Sequence, residues 1–318
     1  MKKKKLLIIT PINEIKGLKS LLSKYFSLTI VEDPDEKKFI KLIPDYYAVY
    51  TNPNKSKIFL GKKVLSFGKK LKIICTASTG TNHIDKVYAR LNKIKIISLT
   101  KEYKTINKIS STAELAFSFT LMGVRNLPEA NKSVLKDEWD YTHFIGRQMN
   151  YLNIGIIGYG RLGKIYSKFL SPFGSKIYVF DPYKKLKNSK KIIQTNFINL
   201  LKKSDIISLH VHHDDKTTNL FNKKNFKYLK KDVLLINTSR GEIVNEFDLV
   251  SFLNKNKSAK YYTDVISNEI RNRLKSPIYL FAKKNSKQVF ITPHIGGMTK
   301  EAQELAYMRA ANLLINEH

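Results

Sequence analysis

Short, uninterrupted apolar runs recur along this chain, each followed by a longer stretch with helical apolar spacing. The runs cover 6–10, 28–31, 47–51, 72–77 and 95–99, and then 152–157, 176–180, 205–211, 233–237, 260–265 and 289–292. They do not alternate polar with apolar residues, as a strand wetted on one face must. Continuous runs mark strands covered on both faces, the condition of parallel sheets wrapped by helices. The strand–helix rhythm appears twice, on either side of a helical segment at 111–136 that contains Pro128 and is expected to kink there. A further helical pattern covers 299–317. The expected fold is α/β, with two doubly wound parallel-sheet (Rossmann-like) domains.

With 318 residues, 42% of them hydrophobic, the chain can build two cores of ordinary size. Its one cysteine, Cys75, has no partner for an internal disulfide, so a reducing, cytoplasmic setting is expected. The basic start, Lys2 to Lys5, leads into an apolar run that Pro11 ends. That run is too short for a signal-peptide core and reads as a first strand after a solvated tip. No apolar run approaches the roughly 20 residues of a membrane span. The net charge of +31 raises nucleic-acid binding as an option, but the lysines are spread in pairs and triplets over the whole length and accompany no nucleic-acid-binding motif. Neither nucleic acid nor a membrane is therefore expected as a partner. The positive field does favour small anionic ligands.

The most informative local motif follows the run at 152–157. Gly158, Gly160 and Gly163 form GxGxxG between a strand and the head of a helix. In such a turn the first glycine allows the tight bend, the second lets backbone approach a pyrophosphate, and the third lets helix and strand pack closely. The helix start offers free N–H groups and partial positive charge to that pyrophosphate. The next strand ends at Asp181, where a carboxylate can accept both ribose hydroxyls of NAD and repel the 2′-phosphate of NADP.

Three later segments put polar groups at strand ends, where α/β sheets bind ligands. They are Asn237-Thr238-Ser239-Arg240-Gly241, Asp264-Val265-Ile266-Ser267-Asn268-Glu269, and Thr292-Pro293-His294-Ile295-Gly296-Gly297. Hydride transfer to a 2-oxo acid needs a cation for the carboxylate and carbonyl, a proton donor that works near neutral pH, and a group that keeps the donor charged. Arginine, histidine and glutamate supply these three roles. Taken singly, Arg240 reads as an ion-pair partner, Glu269 as a solvated acid and His294 as a cap or core histidine. Jointly, beyond a dinucleotide turn, they read as a site. His210, His212, His213, Asp214 and Asp215 do not make a metal set, because neighbouring strand side chains point to opposite faces.

The chain resembles the D-isomer-specific 2-hydroxyacid dehydrogenase family, and within it the phosphoglycerate dehydrogenase branch. The likeness rests on Gly80-Thr81-Asn82-His83-Ile84-Asp85, Thr112-Ala113-Glu114-Leu115, Leu127-Pro128-Glu129-Ala130-Asn131, the Gly158–Gly163 turn, Ser208-Leu209-His210-Val211, and the 237–241 and 292–297 segments. It implies an NAD-dependent oxidoreductase acting on a D-2-hydroxy acid or its 2-oxo acid. Arg240 would bind substrate, His294 would be the acid/base and Glu269 its partner. Asp264 would hold the nicotinamide carboxamide, and Arg161, Leu162, His210, Thr238, Ser239, Gly296 and Gly297 would line the cofactor. Ser78, Thr79 and Gly80 would meet the substrate carboxylate. The family's fold implies a discontinuous, flavodoxin-like substrate domain at 1–101 and 293–318 around an NAD domain at 102–292, and a homodimer.

Two departures bear on the substrate. The branch carries arginines for a substrate phosphate on the loop matching Tyr50-Thr51-Asn52-Pro53 and, in some members, near Thr76; this chain has none there, and Lys55 and Lys57 are point charges rather than bidentate forks. The proline that usually follows the catalytic glutamate is Ile270. Glyoxylate, hydroxypyruvate or lactate-type activity stays open beside the phosphoglycerate type. So does a corepressor-like protein that senses a dinucleotide without catalysis.

Overall fold

The structure is a computed structural model that describes residues 3–53, 58–187, 189 and 191–317; Lys2, Lys55 and Lys57 lie outside them. Among the described residues there are twelve strands: β1 Lys4–Ile8, β2 Phe26–Ile30, β3 Ala48–Thr51, β4 Ile73–Thr76, β5 Lys95–Ile97, β6 Asn153–Ile157, β7 Lys176–Phe180, β8 Ile192–Gln194, β9 Ile206–Leu209, β10 Leu234–Asn237, β11 Lys260–Thr263 and β12 Val289–Ile291. They form two wholly parallel sheets, of five and seven strands. The chain divides into two compact units, Met1–Ile109 with Gly297–His318, and Ser110–Gly296. The unit edges thus fall at 109/110 and 296/297, later than the expected edges at 101/102 and 292/293.

The five-stranded sheet has the order β2-β1-β3-β4-β5, the flavodoxin-like arrangement. Adjacent residues of each strand enter different cores. Leu6, Ile8, Tyr50 and Cys75 pack on one side with the C-terminal helix Lys300–Asn316, while Leu7, Ile9, Val49 and Ile74 pack on the other. That two-sided burial is why the runs read as continuously apolar. Each such side chain contributes roughly 1.5–3 kcal/mol.

The seven-stranded sheet has the order β12-β11-β10-β9-β6-β7-β8. The chain enters at β6, runs outward through β7 and β8, and returns to pair β9 on the other flank of β6. Between β6 and β9 lies the point where strand order reverses, the crevice where doubly wound sheets take ligands. Ile154, Ile156, Leu234 and Ile236 face one core, and Ile207, Leu209, Leu235 and Tyr261 the other.

The strand the sequence does not reveal is β8. It is three half-buried residues at a sheet edge, paired only with β7, so it needs little apolar content. The segment at 111–136 is two helices, Ser111–Val124 and Leu127–Val134. The break is at Asn126, in the left-handed region at φ 55°, and Pro128 sits in the first turn of the second helix, where its missing N–H costs nothing. The Lys260 ammonium donates to Gly123 O at 2.9 Å and to the Asn126 side chain, capping the first helix from a distant strand. No helix among the described residues is long and apolar enough to cross a membrane.

Candidate functional site

The glycine turn links β6 to the helix Arg161–Leu170. Gly158 has φ 88°, and a Cβ on Gly163 would stand 2.1 Å from Gly158 O, so the third glycine is fixed by the helix–strand approach. Gly160 is the N-cap and offers no side-chain acceptor to the first-turn N–H groups, and space is open over its Cα. The partly buried Leu162 side chain packs against the core beneath. Burial lowers the Arg161 guanidinium from its ordinary value. Asp181, just past β7, accepts from Tyr159 N at 2.8 Å and from Tyr183 N at 2.9 Å, which ties it to the middle of the glycine turn.

On the other side of the switch point, His210 follows β9 and shares a 2.9 Å hydrogen bond with Ser208 Oγ. Its Nδ1 and the Thr238 hydroxyl are buried without a partner. Ser239 donates from Oγ to Leu209 O at 2.7 Å. Orphaned polar atoms at the ends of two strands, on the sheet that also carries a helix start without a side-chain acceptor, fit a dinucleotide. The turn after them, His212 to Asp215, is exposed: Asp214 accepts from the Thr217 N–H and hydroxyl, and His213 meets Thr218 Oγ1.

Because β10, β11 and β12 are neighbours, the loops beyond them lie side by side. Beyond β12, His294 Nδ1 stands 2.7 Å from Glu269 Oε1, on the loop beyond β11. His294 has φ 57°, a left-handed conformation that costs a side-chain-bearing residue about 1–2 kcal/mol. Hydrogen bonds from His294 N to Asp264 O and Thr292 O, each 3.0 Å, hold it there. Asp264 is buried and fastens the same loop: its carboxylate accepts from Thr292 Oγ1 at 2.5 Å, Ile295 N at 2.8 Å and Gly296 N at 2.7 Å. Burial raises the Asp264 carboxyl above its ordinary value, against those bonds. Thr112 Oγ1 donates to Gly296 O at 3.1 Å.

Arg240 follows β10 and is partly buried. Its backbone is set by Asn237, whose side-chain amide donates to Arg240 O at 2.9 Å and to Tyr261 Oη at 3.1 Å. Burial lowers the guanidinium from its ordinary value, and Glu269, Glu242 and Asp264 oppose this with their charges. Gly241 has to be glycine, because a Cβ there would meet backbone Ile266 C at 2.0 Å and Ser267 N at 2.2 Å. The Arg240 and Glu269 loops therefore pass in backbone contact. A planar cation, a histidine and a carboxylate bonded to that histidine thus share one end of one sheet with the glycine turn.

Ser78, Thr79 and Gly80 belong to the five-stranded unit, just past β4. Ser78 donates from Oγ to Gly80 O at 2.6 Å and Thr100 donates to Thr79 O at 2.8 Å, which pins the turn. Gly297 opens the C-terminal segment of that same unit. Thr292, Thr112 and Asn237 hold the site's loops, a role the sequence assigns to none of them although all three lie in its motifs. Hydroxyls and amides that hold loops carry no charge and no spacing signature.

A family model described as the D-isomer specific 2-hydroxyacid dehydrogenase, NAD binding domain, matches residues 117–296. Glyoxylate reductase of Thermococcus litoralis is 33% identical over 263 residues, covering 80% of this chain and 76% of that protein. D-3-phosphoglycerate dehydrogenase of Synechocystis sp. is 28% identical over 270 residues, 84% of this chain and 46% of that protein. The chain spans about half the length of the phosphoglycerate dehydrogenases it matches. Among solved structures, a D-lactate dehydrogenase from Aquifex aeolicus, complexed with NAD and lactic acid, has a TM-score of 0.80 at 26% identity and covers 98% of this chain and 94% of its own.

Proposed function

From the premise that this chain belongs to the D-isomer specific 2-hydroxyacid dehydrogenase family, we propose that it is an NAD-dependent oxidoreductase acting on a small D-2-hydroxy acid and its 2-oxo acid. The observation that carries the reading is the 2.7 Å His294–Glu269 bond beside Arg240, on the sheet that bears the glycine turn. The N–H groups of residues 160–163 hold the pyrophosphate, and Asp181 takes the ribose hydroxyls. His210, Thr238 and Ser239 line the cofactor from β9 and β10. Three of the roughly four lone-pair positions of the Asp264 carboxylate are taken, which leaves one for the nicotinamide carboxamide. Bound NADH supplies the hydride.

Arg240 presents a fork to the carboxylate and carbonyl oxygen of the 2-oxo acid, and its charge stabilises the oxyanion as it develops. His294 gives a proton from Nε2 to that oxygen. Glu269, on Nδ1, fixes the orientation of the ring. In the reverse direction neutral His294 takes the hydroxyl proton. The five-stranded unit serves as the substrate-binding domain, with the backbone of Ser78, Thr79 and Gly80 meeting the substrate carboxylate. The exposed apolar residues Leu135, Trp139, Tyr141 and Ile145 of the other unit suit contact with a second copy, so a homodimer is the expected assembly.

A panel of 2-oxo acids, with and without a phosphate, assayed by absorbance with NADH and NADPH tests this. The expected result is reduction of at least one acid with NADH favoured, and a narrower cofactor preference in Asp181→Ser. NADH binding with no turnover of any acid would overturn it in favour of a dinucleotide sensor.

A further inference from the structure

Glu269 sits on an excursion, 265–276, between β11 and the helix Pro277–Lys284. Little in the excursion is rigid by itself. Its helix Glu269–Asn272 is one turn, its N-cap Asn268 is left-handed at φ 54° and gives no side-chain cap, and a 3-10 turn follows. A cavity of about 330 Å³ whose walls include Glu246, Ser267, Asn268 and Ser276 lies against it. Beside the backbone contact at Gly241, a buried carboxylate ties the segment down. Glu246, the first residue of the helix Glu246–Lys255, is buried; one of its oxygens accepts from Ser267 N at 2.7 Å and the other from Ser276 Oγ at 2.6 Å. Ser267 lies two residues before Glu269, and Ser276 ends the excursion as N-cap of the next helix. Glu242 adds a third hold, accepting from Asn268 N at 3.2 Å.

We propose that Glu246 is the positioning residue of the acid/base pair: by gripping both ends of the excursion it sets Glu269 against His294. The inference rests on the reading of His294 as the acid/base. Glu246 does not touch substrate or cofactor and acts only through Glu269. Charged groups near His294 include Glu269 and Asp264. Those around Glu246 are Glu242 on the neighbouring turn, Tyr261 on β11 and Lys275 on the cavity wall. Burial pushes the Glu246 carboxyl up from its ordinary value, while the hydrogen bonds from Ser276 and Ser267 favour the ionised form.

The test follows the His294 Nδ1–H hydrogen bond to Glu269 by proton NMR, beside kcat, KM and NADH affinity, in Glu246→Ala, Glu246→Asp, Glu246→Gln and Glu269→Gln. In Glu246→Ala the Nδ1–H signal moves upfield, as it does in Glu269→Gln. Turnover falls about tenfold with NADH affinity kept, within the loss that a misplacement near 1 Å produces. Glu246→Asp is too short to reach both serines; it retains the helix-start charge and shifts the same way if Glu246→Ala does not fold. Glu246→Gln can accept from Ser267 and donate to the Ser276 hydroxyl, so it restores most of the wild-type behaviour. Folded Glu246→Ala or Glu246→Asp proteins with wild-type signal and turnover, while Glu269→Gln shifts, overturn the positioning role alone. An unmoved His294 signal and unchanged turnover in Glu269→Gln overturn the acid/base reading itself.

Discussion

Both units are parallel sheets with polar residues past the carboxyl ends of their strands, yet those residues do different work. In the five-stranded unit Thr10, just past β1, is tied with Tyr50 of β3 to Tyr307 of the C-terminal helix, all buried and neutral: Thr10 Oγ1 meets Tyr307 Oη at 2.9 Å, and Tyr50 Oη donates to Tyr307 O at 2.7 Å. They rivet the C-terminal helix to the sheet. In the seven-stranded unit Arg240, Glu269 and His294 are charged or chargeable, only partly buried, and held on turns that use a left-handed residue or a glycine in backbone contact. Position at a strand end is therefore not enough to mark a site. Charge, partial access and a backbone conformation maintained at a cost separate a candidate reacting group from a rivet.

The sharpest way to break this contrast is His294→Ala. If His294 is the proton donor, turnover falls about 10² to 10⁴-fold while NADH affinity and unfolding free energy stay near wild type. Steady-state kinetics beside fluorescence titration and denaturant unfolding measure the two sides. A variant that loses stability but keeps turnover would turn His294 into another rivet.

His210 tests the border between the two kinds. It belongs to the seven-stranded unit, but burial holds its imidazole down to about 3, below the ordinary 6.5. A folded state that keeps histidine neutral contributes stability above pH 6.5, and that contribution drains away as pH falls toward 3. At pH 5 the loss is about 2 kcal/mol. Wild type should therefore lose about that much more than His210→Asn between pH 7 and pH 5 in denaturant titrations. Equal pH dependence in the two proteins would place His210 among the accessible groups.

The architecture was legible because burial on both faces leaves a mark, as Leu6, Leu7, Ile8 and Ile9 entering two cores show. The glycine turn, Asp181, Arg240, Glu269 and His294 could be picked out as candidates because the chemistry proposed for them restricts residue type. What stayed hidden depends on partners remote in sequence. Nothing local marks Lys260 as the cap of a helix that ends at Val124, or Glu246 as the clamp of a loop more than one element away. The edge strand β8 was hidden because half-burial asks for so few apolar residues.

The smallest expected effect is in the five-stranded unit. Tyr307→Phe removes a hydroxyl and leaves Thr10 Oγ1, fully buried, without its Tyr307 partner. An unmet buried hydroxyl costs about 1–3 kcal/mol, against a near-neutral result when both partners become apolar. Tyr307→Phe should thus destabilise by about 1 kcal/mol, and Thr10→Val added to it should recover part of the loss, because Asn52 also bonds the Tyr307 hydroxyl. Amide exchange followed by mass spectrometry separates the units: protection should fall in β1 and in the helix Lys300–Asn316 and stay constant in β9 to β12. Turnover should stay within about twofold, because a rivet that orders a sheet end alters no group that meets the reacting atoms. A large fall in turnover with unchanged exchange would mean that the Tyr307 hydroxyl takes part in substrate binding, and the division between the two strand-end clusters would fail at that residue.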